Sequence, residues 1–274
     1  MNHIRLGKRK VCPVMLGTSP FFSFKQYEHA KVYGERFRDA SNIADIIVHS
    51  MELGVECIQT VSMEIVDEPY YSKISYGVPP LLEAIKAARE VLGRKLPSVS
   101  TIINEGSLGT VKNLDNVAML IDGNVTDNTQ RYGVGYNRRL DVPGLLRLKE
   151  AILREGDTAF GFVTHCPGTT IPKLMKVREF WEDVDILMAP VNKIGYRVRP
   201  RWDERCEEAL RDARDSGVLI LGMKIMASGR IPPQEALEHA ATFDHLDGVT
   251  LGIASVEEAE QTLTAALEIW GKRA

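Results

Sequence analysis

From Val218 to Leu267 the chain states one pattern twice: a short apolar run, a loop, then a segment whose apolar residues recur at helical spacing. The two stretches are VLILGMKIMASGRIPPQEALEHA and GVTLGIASVEEAEQTL. Two strand-to-helix units in succession require a crossover that brings the second strand parallel to the first, and in parallel α/β folds the loops after the strands carry the chemistry. The position of a site is therefore predicted before its nature.

The same pattern runs through the rest of the chain. Strands are predicted at Pro13–Gly17, Val55–Val61, Ser98–Ile103, Val117–Ile121, Thr158–Val163, Val184–Ala189, Val218–Lys224 and Gly248–Gly252. Helices are predicted at Ala40–Leu53, Pro79–Leu92, Pro143–Glu155, Arg205–Ser216, Pro232–Thr242 and Val256–Trp270. Pro79, Pro143 and Pro232 suit first-turn positions, where the missing N–H is not needed. Eight such units close a (β/α)8 barrel. An open doubly wound sheet is the competing arrangement, but it should carry a Gly-rich fingerprint after its first strand, and LGTSPFF is not one. With 274 residues and 44% hydrophobic content, the chain can bury one large core, so residues 1–274 read as a single barrel domain.

Composition narrows the partners. A formal charge of −3 provides no broad basic field for nucleic acid, and no apolar run is long enough to cross a bilayer. A small-molecule ligand is expected. The four cysteines are widely spaced and contain no CxxC, which indicates neither a zinc site nor a disulfide framework and fits reduced thiols in the cytoplasm. No HxH or HExxH spacing supports a metal site. The sequence gives no interface signal for an oligomer.

Three loops after strands are longer than usual, at about 18–39, 62–77 and 123–142. On a barrel all three lie over the C-terminal face, and their Tyr, Phe, Asn and Arg content suits a lid over a polar ligand.

At this point the chain resembles the aldo-keto reductases, which are NADP-dependent (β/α)8 barrels that reduce carbonyls. The resemblance is best in MKIMASGRIPPQEAL and GVTLGIASVEEAEQ, which are similar to the seventh and eighth strand regions of that family. Earlier pieces follow in the same order: LGTSPF, GVECIQT, YGVPPLLEAI, LIDGNVTD, GFVTHC and VDILMAPVN. The resemblance implies a Tyr proton donor tuned by a Lys and an Asp, with a His orienting the carbonyl. This chain departs from that set. Gln59, Thr60 and Val61 stand where the family has Asp-Thr-Ala, Ile102 stands at the Lys, and Asp122 stands at the His. The family Tyr-Gly matches Tyr76-Gly77. The resemblance therefore implies a divergent barrel in which Tyr76, Asp122 and His165 take the catalytic places.

For the cofactor, the resemblance implies NADP, held by Gly252 and Ser255 before the last helix, with Glu260 and Gln261 toward the adenosine half and Lys224 toward an anionic group. Ser255-Val-Glu-Glu258 is equally a plain helix capping box. The other polar side chains expected at the mouth include Gln59, Thr101, Asn104, Asn124, Asp127 and Asn192. Gln59, Asn124, Asn192 and Arg197 are the substrate-binding candidates, and the arginines of NKIGYRVRPRW suit an anionic substrate. These residues support three readings: an aldo-keto-reductase-like enzyme acting on a small polar carbonyl or hydroxyl compound, a cofactor-free isomerase, epimerase or lyase, or a catalytically silent ligand-binding barrel.

Overall fold

The structure, a computed structural model, describes residues 2–61, 74–127 and 140–272. The strands predicted from sequence close a barrel. A short antiparallel hairpin, β1 (Ile4–Leu6) and β2 (Arg9–Val11), comes first. The barrel strands follow: β3 (Val14–Gly17), β4 (Cys57–Thr60), β5 (Pro97–Ile102), β6 (Asp115–Ile121), β7 (Ala159–Val163), β8 (Ile186–Pro190), β9 (Leu219–Met223) and β10 (Gly248–Gly252). Each pairs in parallel with the next, and β10 pairs with β3, so the sheet has no free edge and the doubly wound alternative is excluded.

The strands are buried on both faces, which is why they read as apolar runs rather than alternating ones. One set of side chains fills the barrel: Met15, Cys57, Val99, Leu120, Val163, Ile186, Met188, Leu221 and Met223. The alternate set, including Leu16, Ile58, Ile102, Ile121, Phe162, Leu187 and Ile220, packs outward against the helices.

The principal helices are α2 (Ala40–Glu52), α3 (Leu81–Leu92), α6 (Val142–Leu153), α9 (Glu204–Asp215), α10 (Pro233–Ala241) and α11 (Val256–Trp270). Shorter ones are α1 (Ala30–Arg36), α4 (Glu105–Val111), α5 (Gly123–Thr126), α7 (Pro167–Leu174) and α8 (Arg178–Trp181). Pro143 sits in the first turn of α6, whereas Pro232 caps α10 and Pro79 lies just ahead of the capping Pro80 of α3. The short helix α4 is held by Asn104 and Ser107, which cap each other: the Ser107 N–H donates to Asn104 Oδ1 at 2.8 Å and the Asn104 N–H to Ser107 Oγ at 3.0 Å. Asn104, expected at the mouth, is thus a helix cap.

The hairpin had no counterpart among the predicted elements. Ile4, Leu6 and Val11 join the inner cluster of the barrel. Gly7 turns at φ +56, where a Cβ would lie 2.9 Å from the Asp157 carbonyl just before β7, so the hairpin closes the N-terminal end. The loops that follow the strands gather at the opposite end. There the long segment at 18–39 folds as a turn (Ser19–Phe22) followed by α1. Most of the other two long loops, residues 62–73 and 128–139, lies outside the described residues. Among the described residues no helix is long and apolar enough to cross a membrane.

Candidate active site

The C-terminal end of β6 delivers Asp122 to the barrel mouth. Its side chain caps α5, accepting from the Asn124 N–H at 2.8 Å and from Asn124 Nδ2 at 2.9 Å. Burial raises the pKa of this carboxyl above the ordinary aspartate value, while the Asn124 N–H, His165 and the Asn124 amide pull the other way. Asn124, expected to meet substrate, therefore serves Asp122 first.

One turn later α5 ends at Asp127, whose carboxylate is sealed from solvent. It accepts from Thr164 Oγ1 at 2.5 Å, Thr170 Oγ1 at 2.7 Å and the His165 N–H at 2.7 Å. The hydroxyl of Thr126 donates to the Val163 carbonyl. These bonds fasten the β7–α7 turn to α5 and fix His165, whose Nδ1 lies 3.6 Å from Asp127 Oδ2. The ring packs on Gly123, where a Cβ would sit 2.7 Å from Nδ1. The side chain of His165 is 29% exposed, open to the mouth and buttressed from behind by a carboxylate.

The loops after β8 and β9 supply the cations. Asn192 is buried and clamps the β8 loop with both ends of its amide: Oδ1 accepts from the Tyr196 N–H at 2.6 Å and Nδ2 donates to the Tyr196 carbonyl at 3.0 Å. Arg197 follows at φ +61, and the Arg199 N–H donates to the His165 carbonyl at 2.8 Å, joining this loop to the β7 turn. After β9, Lys224, Ala227 and Ser228 all have positive φ, at +57, +50 and +60. Five non-glycine residues take such angles among the described residues, and four of them stand on these two loops. Backbone held in this region is strained, and such strain concentrates at functional sites. Partial burial and the charge of Arg197 bring the Lys224 amine down to about 8, with Asp122 opposing and Arg199 adding to the fall. Asp122, Lys224, Arg197 and Arg199 thus form one electrostatic group.

Scanning the sequence gives no match to a family model and no curated relative. Solved structures do match. Two structures of a Pseudomonas aeruginosa protein described provisionally as an aldo-keto reductase superpose with TM-scores of 0.60, at 17% and 18% identity, covering 97% of this chain and 94% and 95% of theirs. The apo form of Gox0644 superposes with a TM-score of 0.59 at 11% identity, covering 98% of this chain and 88% of that one. This is an aldo-keto reductase fold.

Within that fold the remaining sequence candidates scatter. Gln59 is buried in the mouth, with Nε2 donating to the Thr60 carbonyl at 2.7 Å. Ile102 lies in the layer between strands and helices, and Thr101, on the inner side, donates to the Thr60 carbonyl, so β5 brings no cation to the mouth. Tyr76 is 47% exposed. Its N–H donates to the Ser23 carbonyl at 3.2 Å, its Cβ abuts Gly34, and Lys25 Nζ lies 5.1 Å from its ring centroid. These contacts tie it to the β3–α1 segment.

The corner that carries the strongest aldo-keto reductase resemblance is satisfied by its own side chains. Ser255 Oγ accepts from the Glu258 N–H at 3.1 Å, and Glu258 Oε2 accepts from the Ala254 N–H at 2.6 Å. A Cβ on Gly252 would meet the Pro20 ring at 2.9 Å, so the β3–α1 segment already covers this strand end. Glu260 points to α2 and pairs with His49 Nε2 at 2.8 Å, and Gln261 is exposed on the helix surface. No Lys or Arg occurs from Gly252 to Leu267. Three glutamates beside a capped terminus repel a phosphate rather than grip it, so these residues do not fit the extra phosphate of NADP.

Among the described residues no cluster of His, Cys, Asp or Glu is arranged to hold a metal ion. From sequence, Asp127 is one polar residue of the mouth among several, and neither Tyr196 nor Arg230 stands out. The signal for Tyr196 was available, since it is the aromatic residue inside the basic loop NKIGYRVRPRW.

Proposed function

We propose that this chain is an aldo-keto-reductase-like enzyme that moves protons on a small, polar, anionic carbonyl or hydroxyl compound at the C-terminal mouth. The observation that carries the reading is the Asp127 anchor, which holds His165 at the mouth beside Asp122 while the strained β9 loop presents Lys224 to the same space. A carboxyl with raised pKa, an amine brought near neutrality and a buttressed imidazole form a constellation suited to general acid–base work. Arg197 and Lys224 have no carboxylate in ion-pair range among the described residues, which favours a substrate that brings its own negative charge.

The likeness in fold supports carbonyl reduction with a nicotinamide donor. The self-capped start of α11 favours the second reading, a cofactor-free isomerase or lyase working with the same side chains. One experiment separates them. Protein stripped of bound ligand is titrated with NADPH and with NADH, and a panel of phosphorylated and carboxylated hydroxycarbonyl compounds is assayed with and without each nucleotide. The α11 corner predicts no saturable NADPH binding up to about millimolar, where binding free energy is only about −4 kcal/mol. Turnover without nucleotide selects the isomerase or lyase, and turnover only with nucleotide selects the reductase. Loss of neither activity in Asp122→Asn and His165→Ala would overturn the proposed site.

A further inference from the structure

We infer that Tyr196 is the phenol that gives and takes a proton in this mouth, its anion held by Arg197 and Arg230. The inference rests on the acid–base reading above and names a residue that the family resemblance does not supply. Three independent features place the group. First, the β8 loop is fixed at Tyr196 itself, because the buried Asn192 amide binds both the N–H and the carbonyl of that residue. Second, guanidinium groups flank the ring. Arg230 Cζ lies 4.4 Å from its centroid and Arg197 Cζ 5.8 Å. Arg230 is itself tethered, with Nη1 donating to the Ala227 carbonyl at 3.1 Å and to the Gln26 carbonyl at 3.3 Å. Third, the β9 loop that carries Arg230 is held at positive φ at Ala227 and Ser228, +50 and +60, beside a β8 loop held at φ +61 at Arg197.

The groups facing the phenol are thus Arg197 on its own loop, Arg230 and Ser228 from the β9 loop, and Tyr27 from the β3–α1 segment. Burial alone would raise the phenol above the ordinary tyrosine range. The hydrogen bonds from Arg197 and Ser228 and the charges of Arg197 and Arg230 outweigh it, and the Tyr196 pKa is lowered. Burial raises Tyr27 to about 12 and raises Tyr33 as well. The Tyr196 loop is joined to the mouth by the Arg199 N–H, which donates to the His165 carbonyl at 2.8 Å, and the Arg197 charge also lowers Lys224. An arginine beside a tyrosine supplies what a neighbouring lysine supplies elsewhere: a fixed positive charge that favours the phenolate.

The step balances without a co-reactant. Ionised Asp122 takes a proton from the carbon next to the substrate carbonyl, and the C–H electron pair becomes a carbon–carbon double bond. The carbonyl π pair takes the proton of the Tyr196 O–H, leaving an enediol and a phenolate. Return of the Asp122 proton to the adjacent carbon, with the phenolate reclaiming a hydroxyl proton, completes an isomerisation.

The test uses the full chain. Spectrophotometric titration of the phenolate band in wild type should show one tyrosine ionising ahead of the rest. That transition should vanish in Tyr196→Phe, move upward in Arg197→Leu and Arg230→Leu, and stay in Tyr33→Phe. On any compound of the panel that wild type turns over, Tyr196→Phe should lower kcat about 100-fold or more with little change in KM. An early-titrating phenol that persists in Tyr196→Phe would overturn the assignment, as would its loss with turnover intact. Wild type that turns over nothing while Tyr196 titrates early would overturn the acid–base reading of the mouth, and the catalytic assignment with it.

Discussion

Two neighbouring corners of this barrel, after β9 and after β10, show opposite ways of ending a strand. After β10 the chain enters α11 through Ser255 and Glu258, and the N–H groups of Ala254 and Glu258 are used by side chains of the same turn. After β9 the chain passes through Lys224, Ala227 and Ser228 at positive φ, with an amine pulled below its ordinary pKa. The first corner resembles the reductases most closely in sequence and is locally at rest. The second carries backbone strain and an amine with no carboxylate in ion-pair range among the described residues. Family-like sequence accompanies the fold here, while strain and charge accompany the proposed site.

Removing the amine of the strained corner, or the Asp122 carboxyl at the end of β6 that acts on it, should have the largest effect. Lys224→Met and Asp122→Asn should each lower turnover by about 100-fold or more while circular dichroism remains native. Full activity in both would mean that the two corners do not differ in function. The next effect is on stability. Asp127→Ala strips the partner from two threonine hydroxyls and the His165 N–H, and should cost about 3 kcal/mol or more in urea unfolding.

Lys224→Met should also stabilise the protein at neutral pH, by about 1–2 kcal/mol. The sign follows from linkage. The folded chain disfavours the Lys224 ammonium, so the unfolded state binds more protons and stability rises with pH between about 8 and the unperturbed value of 10.5. The penalty is fully present below about pH 8, and the advantage of the methionine variant should shrink as pH rises through that window. A constant difference across the window would deny the amine its low pKa. The smallest effect is expected at the resting corner. Ser255→Ala should cost about 1 kcal/mol in thermal or urea unfolding and leave nucleotide and substrate affinities unchanged.

Much of this architecture is legible in the sequence because apolar runs and helical spacing report burial directly. All eight barrel strands fall within or beside their predicted ranges. The N-terminal hairpin escaped because three-residue strands have no periodicity to detect, and α4 escaped because a reciprocal cap stabilises a helix too short to show a stripe. The site was less legible. Asp122, His165 and Lys224 stand at strand ends and could be named, but which side chains they meet depends on how β6, β7, β8 and β9 are brought around the barrel. Asn192 illustrates this: it is a plausible substrate ligand by position, yet the fold uses both ends of its amide on Tyr196. Asp127 becomes an anchor only through Thr164, His165 and Thr170, all more than thirty residues away.

The most direct test of the central claim is deuterium wash-in from D2O, followed by proton NMR, on phosphorylated hydroxycarbonyl compounds incubated without nucleotide. Exchange at the carbon beside the carbonyl is expected with wild type and should be lost in both Asp122→Asn and Lys224→Met. Exchange that survives in both variants, or is absent from wild type with every compound, would contradict that claim.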